Sequence, residues 1–164
     1  MQILAIDPGT SCGWCLYNTD TMAIYSGVWD LKPSRFESAS MRFLKLKCAL
    51  EMAEDGFKGG FDVISYEEVR RHMSTDAAHA YGGYIATIQM FSETMKIPLT
   101  TVTVQAVKQI ATGKGRGKGT DKKAMLAAAQ ATWPGYKFAS DDESDARFIA
   151  LATERELIGK GKKS

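Results

Sequence analysis

The chain has 164 residues, of which 45% are hydrophobic and 24% charged, as expected for one soluble globular domain with its own core. No apolar run is long enough to span a bilayer, and the first residues lack the basic leader of a secretory signal. Three cysteines without an export signal favour a reducing intracellular compartment. We therefore expect a cytoplasmic protein without a membrane partner, with one domain over residues 1–158 and a basic, flexible tail at 159–164.

The net charge of +2 conceals two basic segments on an acidic body. Residues 108–123 contain six lysines and arginines against one aspartate, and residues 155–164 contain four against one glutamate. The rest of the chain therefore carries a charge of −6. A basic loop and tail beside an acidic body favour a polyanionic partner, although a solvated loop and a disordered tail would explain the same charges without one.

Hydrophobic spacing and turn residues predict five strands and five helices. Three strands come first, and their short connections require antiparallel neighbours. Helices and two further strands then alternate. The predicted strands cover residues 2–7, 12–18, 22–29, 61–67 and 99–104, and the predicted helices cover residues 35–55, 75–95, 105–111, 120–132 and 141–158. This order predicts an α/β fold with one mixed five-stranded sheet, three antiparallel strands followed by two parallel ones, flanked by helices.

Four carboxylates fall where a buried acid requires a compensating charge. Asp7 and Glu67 end apolar runs that are typical of buried strands. Asp142 and Asp145 lie three residues apart at the start of the last helix and therefore share one of its faces. Clustered carboxylates repel one another, and oxygen ligands without accompanying His or Cys suit Mg²⁺ or Mn²⁺. The pattern predicts metal-assisted phosphoryl chemistry.

Helix capping explains some of these acids without a metal. Ser140 and Glu143 have the spacing of a capping box, and Asp141 and Asp142 lie in a first turn, where the helix dipole favours negative charge. Asp145 lies beyond that turn and is not explained by capping. Whether Asp141 or Glu143 also assists a metal stays open.

Residues 113–119 alternate glycine with the cations Lys114, Arg116 and Lys118. A flexible linker would need only the glycines. A cation at every second position predicts a loop that follows a phosphate backbone, since phosphate contacts dominate nucleic-acid affinity.

Cys12 and Cys15 are spaced like a redox or zinc pair. Residues three apart on a strand point to opposite faces, and the chain has no second cysteine pair to complete a zinc site. Both cysteines are therefore predicted to pack in the core, and His72 and His79 are predicted to be structural or exposed to solvent.

The order of these features resembles the RNase H-like nucleases, and within them the RuvC-type Holliday junction resolvases of bacteria and their phages. The likeness covers about residues 2–155. The matching segments are Ile6-Asp7-Pro8-Gly9-Thr10 with Gly13, Tyr66-Glu67-Glu68-Val69, Val107-Lys108-Gln109 with Gly113, and Asp142-Glu143-Ser144-Asp145-Ala146. An Asp-x-Gly-Thr opening also marks sugar kinases and actin, but ATPases of that class need two such lobes, and 164 residues hold one.

This resemblance implies a homodimeric, two-metal endonuclease that resolves four-way junctions or other branched DNA. It implies that Asp7 bridges two Mg²⁺ ions, for which Mn²⁺ can substitute. Glu67, Asp142 and Asp145 would complete the two coordination shells, with Glu67 rather than the adjacent Glu68 as the ligand. The implied products carry a 5′-phosphate and a 3′-hydroxyl.

The resemblance also suggests where DNA and a second subunit bind. Lys108 and Lys122 resemble the family's DNA-contacting or catalysis-assisting lysines. Arg70 and Arg71 follow Glu67 at the expected mouth of the site. Family members dimerise through the region of the helix at 75–95, although packing on the sheet explains the apolar stripe of that helix equally. The stripe comprises Ala77, Tyr81, Tyr84, Ile88 and Phe91. Alternatives are an RNase H-like nuclease acting on forks or RNA-containing hybrids, and a non-catalytic branched-DNA binder; no helicase or recombination partner is identified.

Overall fold

The computed structural model describes residues 1–57, 59–69 and 74–161. The predicted DNA contacts Arg70 and Arg71 lie outside these ranges, as do His72 and residues 162–164 of the predicted tail. Within the described ranges, no helix combines the length and the apolar character needed to cross a membrane.

Five strands form one mixed sheet. They are β1 (Gln2–Asp7), β2 (Ser11–Asn18), β3 (Ile24–Asp30), β4 (Val63–Glu68) and β5 (Leu99–Thr103). Their order across the sheet is β3-β2-β1-β4-β5. β2 pairs antiparallel with both β1 and β3, whereas β4 pairs parallel with both β1 and β5. The predicted α/β class, with three antiparallel strands followed by two parallel ones, is confirmed.

Helices cover both faces of this sheet. They are α1 (Met41–Gly56), α2 (Thr75–Met95), α3 (Val104–Thr112), α4 (Lys122–Thr132) and α5 (Asp141–Gly161). Successive strand residues point to opposite faces, so the strands contribute to two separate cores. Leu4 and Ile6 of β1 pack with α1 and α2, whereas Ile3 and Ala5 pack with α3, α4 and α5.

The predicted start of the first long helix is wrong. That prediction used the spacing of Phe36, Phe43 and Leu50, but α1 begins only at Met41 and the Phe36 side chain is 93% exposed. The preceding residues form a turn because the side chain of Glu37 bonds the backbone N–H of Ser34. Such local side-chain bonds to the backbone compete with helix formation.

The remaining element ends differ from the prediction by a few residues. β3 begins at Ile24 rather than at 22, because Met22 takes a left-handed backbone conformation (φ 59°) in a wider turn. α5 continues to Gly161, three residues beyond its predicted end at 158.

The two cysteines of β2 pack in separate cores, as their spacing predicted. Cys12 contacts the core under α1 and α2, and Cys15 the core under α5. Burial raises the pKa of each thiol to about 12. Both groups therefore stay protonated and unreactive at neutral pH, which supports the packing interpretation.

Candidate active site

Asp7 and Glu67 lie side by side at one end of the sheet. The parallel register pairs Ile6 of β1 with Tyr66 of β4, and Asp7 and Glu67 are the next residues of these two strands. The Asp7 side chain points to the face covered by α3, α4 and α5, since Ala5, two residues earlier, packs in that core. By the same alternation Glu67 shares this face, whereas Glu68 points to the opposite one. The two strands thus supply one acid each to a single site.

Asp142, in the first turn of α5, and Asp145, one turn into the helix, approach the strand acids from its N-terminal end. The first turn packs directly on β2 at Gly13, the residue paired with Asp7 across the β1–β2 register. A Cβ atom at position 13 would lie 1.9 Å from the backbone oxygen of Asp142, so only glycine permits the approach. Ser11 Oγ also donates a 2.6 Å hydrogen bond to Asp142 Oδ2. The helix end is therefore held on the strand that neighbours Asp7.

Burial and the clustered negative charges raise the pKa of three of the acids. Burial, followed by the charges of Asp145, Glu67 and Asp142, holds the pKa of Asp7 well above its usual value. Burial and the charge of Asp145 raise the pKa of Glu67 to about 7. Burial and the charges of Asp141 and Asp142 raise the pKa of Asp145 to about 6. A cation bound among these groups would remove the repulsion and favour their ionised forms.

Two lysines border the acid cluster. Lys108 of α3 and Lys122 of α4 line a cavity of about 270 Å³ together with Glu67 and Asp145. The positive charge of each lysine partly offsets the rise in the pKa of Asp145. Lys122 Nζ lies 2.6 Å from Asp141 Oδ2, and this hydrogen bond lowers the pKa of Asp141. Asp141 therefore forms an ion pair with Lys122. Both lysines singled out from the sequence lie beside the acids.

A buried polar network holds the first turn of α5 from its other side. Glu143 is only 2% exposed and accepts hydrogen bonds from Ser26 Oγ over 2.6 Å and from Tyr136 Oη over 2.7 Å. It accepts a third from the backbone N–H of Ala139 over 2.7 Å. Arg147, which is 4% exposed, donates from Nε to the same Ser26 Oγ over 2.8 Å. The network joins β3, the segment before α5 and α5 itself.

The guanidinium group of Arg147 is enclosed by aromatic rings. Its central carbon lies 3.7 Å from the ring centroid of Tyr136, 5.1 Å from that of Phe138 and 5.2 Å from that of Trp133. Burial alone would raise the pKa of Glu143, but its hydrogen bonds and the Arg147 charge lower it overall. Glu143 is thus an ionised structural group that points away from the acid cluster. Sequence reasoning missed this network, although the i, i+4 spacing of Glu143 and Arg147 was a signal for it.

The donor atoms suit a hard divalent cation that binds together with its substrate. In the described part of the chain, no three His, Cys, Asp or Glu side chains are grouped tightly enough to hold a metal ion unaided. Mg²⁺ usually keeps several waters and takes only one or two carboxylates plus substrate phosphates. Carboxylate oxygens that raise one another's pKa beside an open cavity fit that mode of binding.

The basic loop, residues 113–121, is fastened to α3. Arg116 Nη2 donates to Gln105 Oε1 over 2.8 Å, and Gln109 Nε2 donates to the backbone oxygen of Gly113 over 2.7 Å. The loop also begins at the left-handed Gly113 (φ 74°), which ends α3. Its cations Lys114, Arg116 and Lys118 are exposed. These bonds favour a loop of defined shape over a free linker.

The apolar stripe of α2 serves mainly the core. Tyr84, Ile88 and Phe91 are 2%, 0% and 6% exposed and pack on the sheet. The outer side of α2 instead carries Met90, which is 71% exposed, and borders with Leu44 of α1 an apolar cavity of about 320 Å³. The buried residues of the stripe are therefore not available to a second subunit, whereas the outer side of α2 is exposed.

No protein-family model matches the sequence, and no curated protein matches it. Several solved structures match the fold of the chain. RuvC from Thermus thermophilus in complex with a Holliday junction substrate matches with a TM-score of 0.73 at 20% identity, over 93% of this chain and 92% of that chain. A second Thermus thermophilus RuvC structure gives 0.73 at 19% identity, over 97% of both chains. The yeast mitochondrial Holliday junction resolvase Ydc2 gives 0.56 at 14% identity, over 92% of this chain and 76% of that chain.

The two RuvC matches extend over nearly the whole chain. The chain therefore has the RNase H-like fold of the RuvC resolvases, as its motif order predicted.

Proposed function

We propose that this protein is a Mg²⁺-dependent endonuclease that resolves four-way junctions or other branched DNA. The observation that carries the proposal is the meeting of four acids from two strands and one helix beside a lysine-lined cavity. Two further facts support it. The chain shares its fold with RuvC, which was solved in complex with a Holliday junction substrate, and with the Holliday junction resolvase Ydc2. Thr120 and Asp121 of the basic loop also line the cavity.

The four acids, Asp7, Glu67, Asp142 and Asp145, would hold two Mg²⁺ ions. When bound, Mg²⁺ makes a water molecule more acidic and stabilises charge on the leaving oxygen of a phosphodiester. Ser11 orients one of these ligands through its hydrogen bond to Asp142. Hydrolysis in this site leaves a 5′-phosphate and a 3′-hydroxyl.

The lysines at the cavity position the substrate. Lys108 limits the net negative charge that a phosphate meets beside Glu67 and Asp145. Lys122 is 80% exposed and paired with Asp141, so an entering phosphate can compete for it at little cost, since exposed ion pairs are weak. Outside the cavity, the cations of the basic loop follow the DNA backbone.

Two symmetric cuts in a four-way junction require two active sites, which a homodimer supplies. We place the dimer contact on the outer side of α2, around Met90 and Leu44. Met90→Glu should then convert a dimer to a monomer in sedimentation experiments, whereas Met52→Glu, at another exposed methionine (74%), should not. A wild-type protein that sediments as a monomer would contradict this arrangement.

The test of function is incubation of purified protein with a labelled four-way junction, a fork, an RNA–DNA hybrid and a matched duplex, with and without Mg²⁺ or Mn²⁺. Paired, ligatable nicks in the junction are expected only with metal. Preferential cutting of forks or hybrids would instead indicate a different RNase H-like nuclease. Tight junction binding without cleavage in either metal would indicate a non-catalytic binder.

A further inference from the structure

The connection between β3 and α1, residues 31–40, contains a fastened turn. The backbone N–H of Glu37 donates to the oxygen of Ser34 over 3.1 Å, and the N–H of Ser34 donates to Glu37 Oε2 over 2.6 Å. Lys45 of α1 lies with Nζ 3.0 Å from the same Glu37 oxygen. Its Nζ also donates to the backbone oxygen of Lys32 over 2.7 Å. The turn is therefore closed on itself and tied to the helix that follows.

Arg35 and Phe36 form the tip of this turn. Phe36 is 93% exposed, more than any other exposed large hydrophobic side chain that the structure describes. The guanidinium carbon of Arg35 lies 5.9 Å from the centre of its ring. A single exposed apolar residue needs no explanation by itself. A planar ring held outward by a fastened turn, with a cation beside it, has the chemistry that binds a base and its phosphate.

The turn lies at the same edge of the sheet as the acids. The backbone N–H of Leu31 donates to the oxygen of Thr10 over 2.9 Å, only three residues after Asp7. At the other end of the connection, Arg42 shares a cavity with Asp76 in the first turn of α2. The connection thus runs along the edge on the α1–α2 side, while the acids and the basic loop lie on the α3–α5 side.

We propose that Phe36 stacks on an unpaired base at the branch point of DNA while Arg35 contacts the neighbouring phosphate. This inference rests on the proposed function. It gives the site a second DNA-binding surface, on the α1–α2 face of the sheet, whereas the basic loop lies on the α3–α5 face. An intact duplex offers no free base face, so the contact favours branched over continuous DNA. Stacking tolerates every base, so it imposes no strict sequence at the cut.

The experiment measures binding of the full chain to a fluorescein-labelled four-way junction and to a matched duplex, in EDTA so that no cleavage occurs. Phe36→Ala should weaken junction binding about tenfold, in the range of stacking one base on an aromatic ring, and change duplex binding less than about twofold. Phe36→Trp should restore wild-type affinity. Arg35→Ala should weaken both substrates alike, because a phosphate contact does not distinguish them. Met52→Ala, at an exposed methionine of α1, is the matched control and should change neither.

Equal affinities of wild type and Phe36→Ala for the junction would overturn the inference, as would equal losses on junction and duplex. A change in sedimentation without a change in DNA affinity would assign the turn to a protein contact and also overturn it. If wild type itself binds junction and duplex equally, the proposed function fails, and this inference fails with it.

Discussion

The strand half and the helix half of the acid cluster are positioned by different physical means. Asp7 and Glu67 are neighbours because two parallel strands share one register, which the backbone hydrogen bonds of the sheet fix. Asp142 and Asp145 belong to one helix end. This end is held by a hydrogen bond from Ser11 and by the Glu143–Arg147 network, and Gly13 leaves room for its close approach. The strand half is therefore set by main-chain pairing, and the helix half by side chains from distant parts of the sequence.

The largest effect should come from breaking the strand half. Asp7→Asn removes the charge that couples to all three other acids while keeping the shape, so cleavage of a four-way junction in Mg²⁺ should be abolished. Junction binding should stay near wild type. Removing the repulsion should also raise the free energy of unfolding of the metal-free protein. Gel assays measure cleavage and junction binding, and urea unfolding measures stability. Near-wild-type cleavage would show that Asp7 is not a metal ligand.

Breaking the helix half should cost stability first. Arg147→Ala leaves the buried Glu143 charge without its cation, which should lower the free energy of unfolding by about 3–5 kcal/mol. Arg147→Lys should cost less, since it keeps the charge but loses the planar contact with Tyr136. Arg155→Ala, at an exposed arginine of the same helix, is the control and should stay within about 0.5 kcal/mol of wild type. Urea unfolding measures these changes. Equal unfolding midpoints for Arg147→Ala and Arg155→Ala would mean that the network does not stabilise the fold.

Both halves should make the stability of the metal-free protein depend on pH. The folded-state pKa values of Glu67, about 7, and Asp145, about 6, lie above those of unfolded carboxyl groups. The stability that these groups contribute is therefore full below about pH 4. It is lost as pH rises through 6 to 7, so the metal-free protein should melt at a lower temperature at pH 8 than at pH 5. Mg²⁺ should reverse this difference at pH 8, because it binds ionised carboxylates. Melting curves at both pH values check this, and no effect of Mg²⁺ at pH 8 would argue against a metal site.

The smallest effect is expected outside both halves, in the basic loop. Neutralising Lys114, Arg116 and Lys118 together should weaken DNA binding and reduce the magnitude of the salt slope by up to about three, if each cation meets one phosphate. The rate of cleavage at saturating DNA should change little. The slope of log affinity against log salt concentration is the measurement, and an unchanged slope would leave the loop without a role in DNA binding.

The strand half could be predicted from the sequence because apolar runs define strands, and an acid at the end of each run needs only the register to find its neighbour. For the helix half, the sequence predicted the spacing of the two acids but not the hydrogen bonds that hold the helix end in place. Ser140 and Glu143 matched a capping box, yet Glu143 bonds the N–H of Ala139 and the side chains of Ser26 and Tyr136. No local pattern encodes a partner more than a hundred residues away.

The wrong start of α1 and the open role of the α2 stripe have the same origin. Helical spacing identified apolar faces correctly on α2 but could not say whether a face meets the sheet or a second subunit, since both bury the same side chains. On α1 the same spacing extended the helix through Phe36, where a side-chain bond from Glu37 to the backbone prevails. Local hydrogen bonds and quaternary contacts both lie outside what periodicity measures.

Gly13 sets a fixed distance within the acid cluster. The empty space where its side chain would be sets how closely the acids of α5 can approach Asp7, because even a methyl group would meet the backbone oxygen of Asp142 at 1.9 Å. A displacement of about 1 Å in a catalytic group can cost about a hundredfold in rate. A residue with no side chain thereby determines the spacing of the acids on which the proposed chemistry depends.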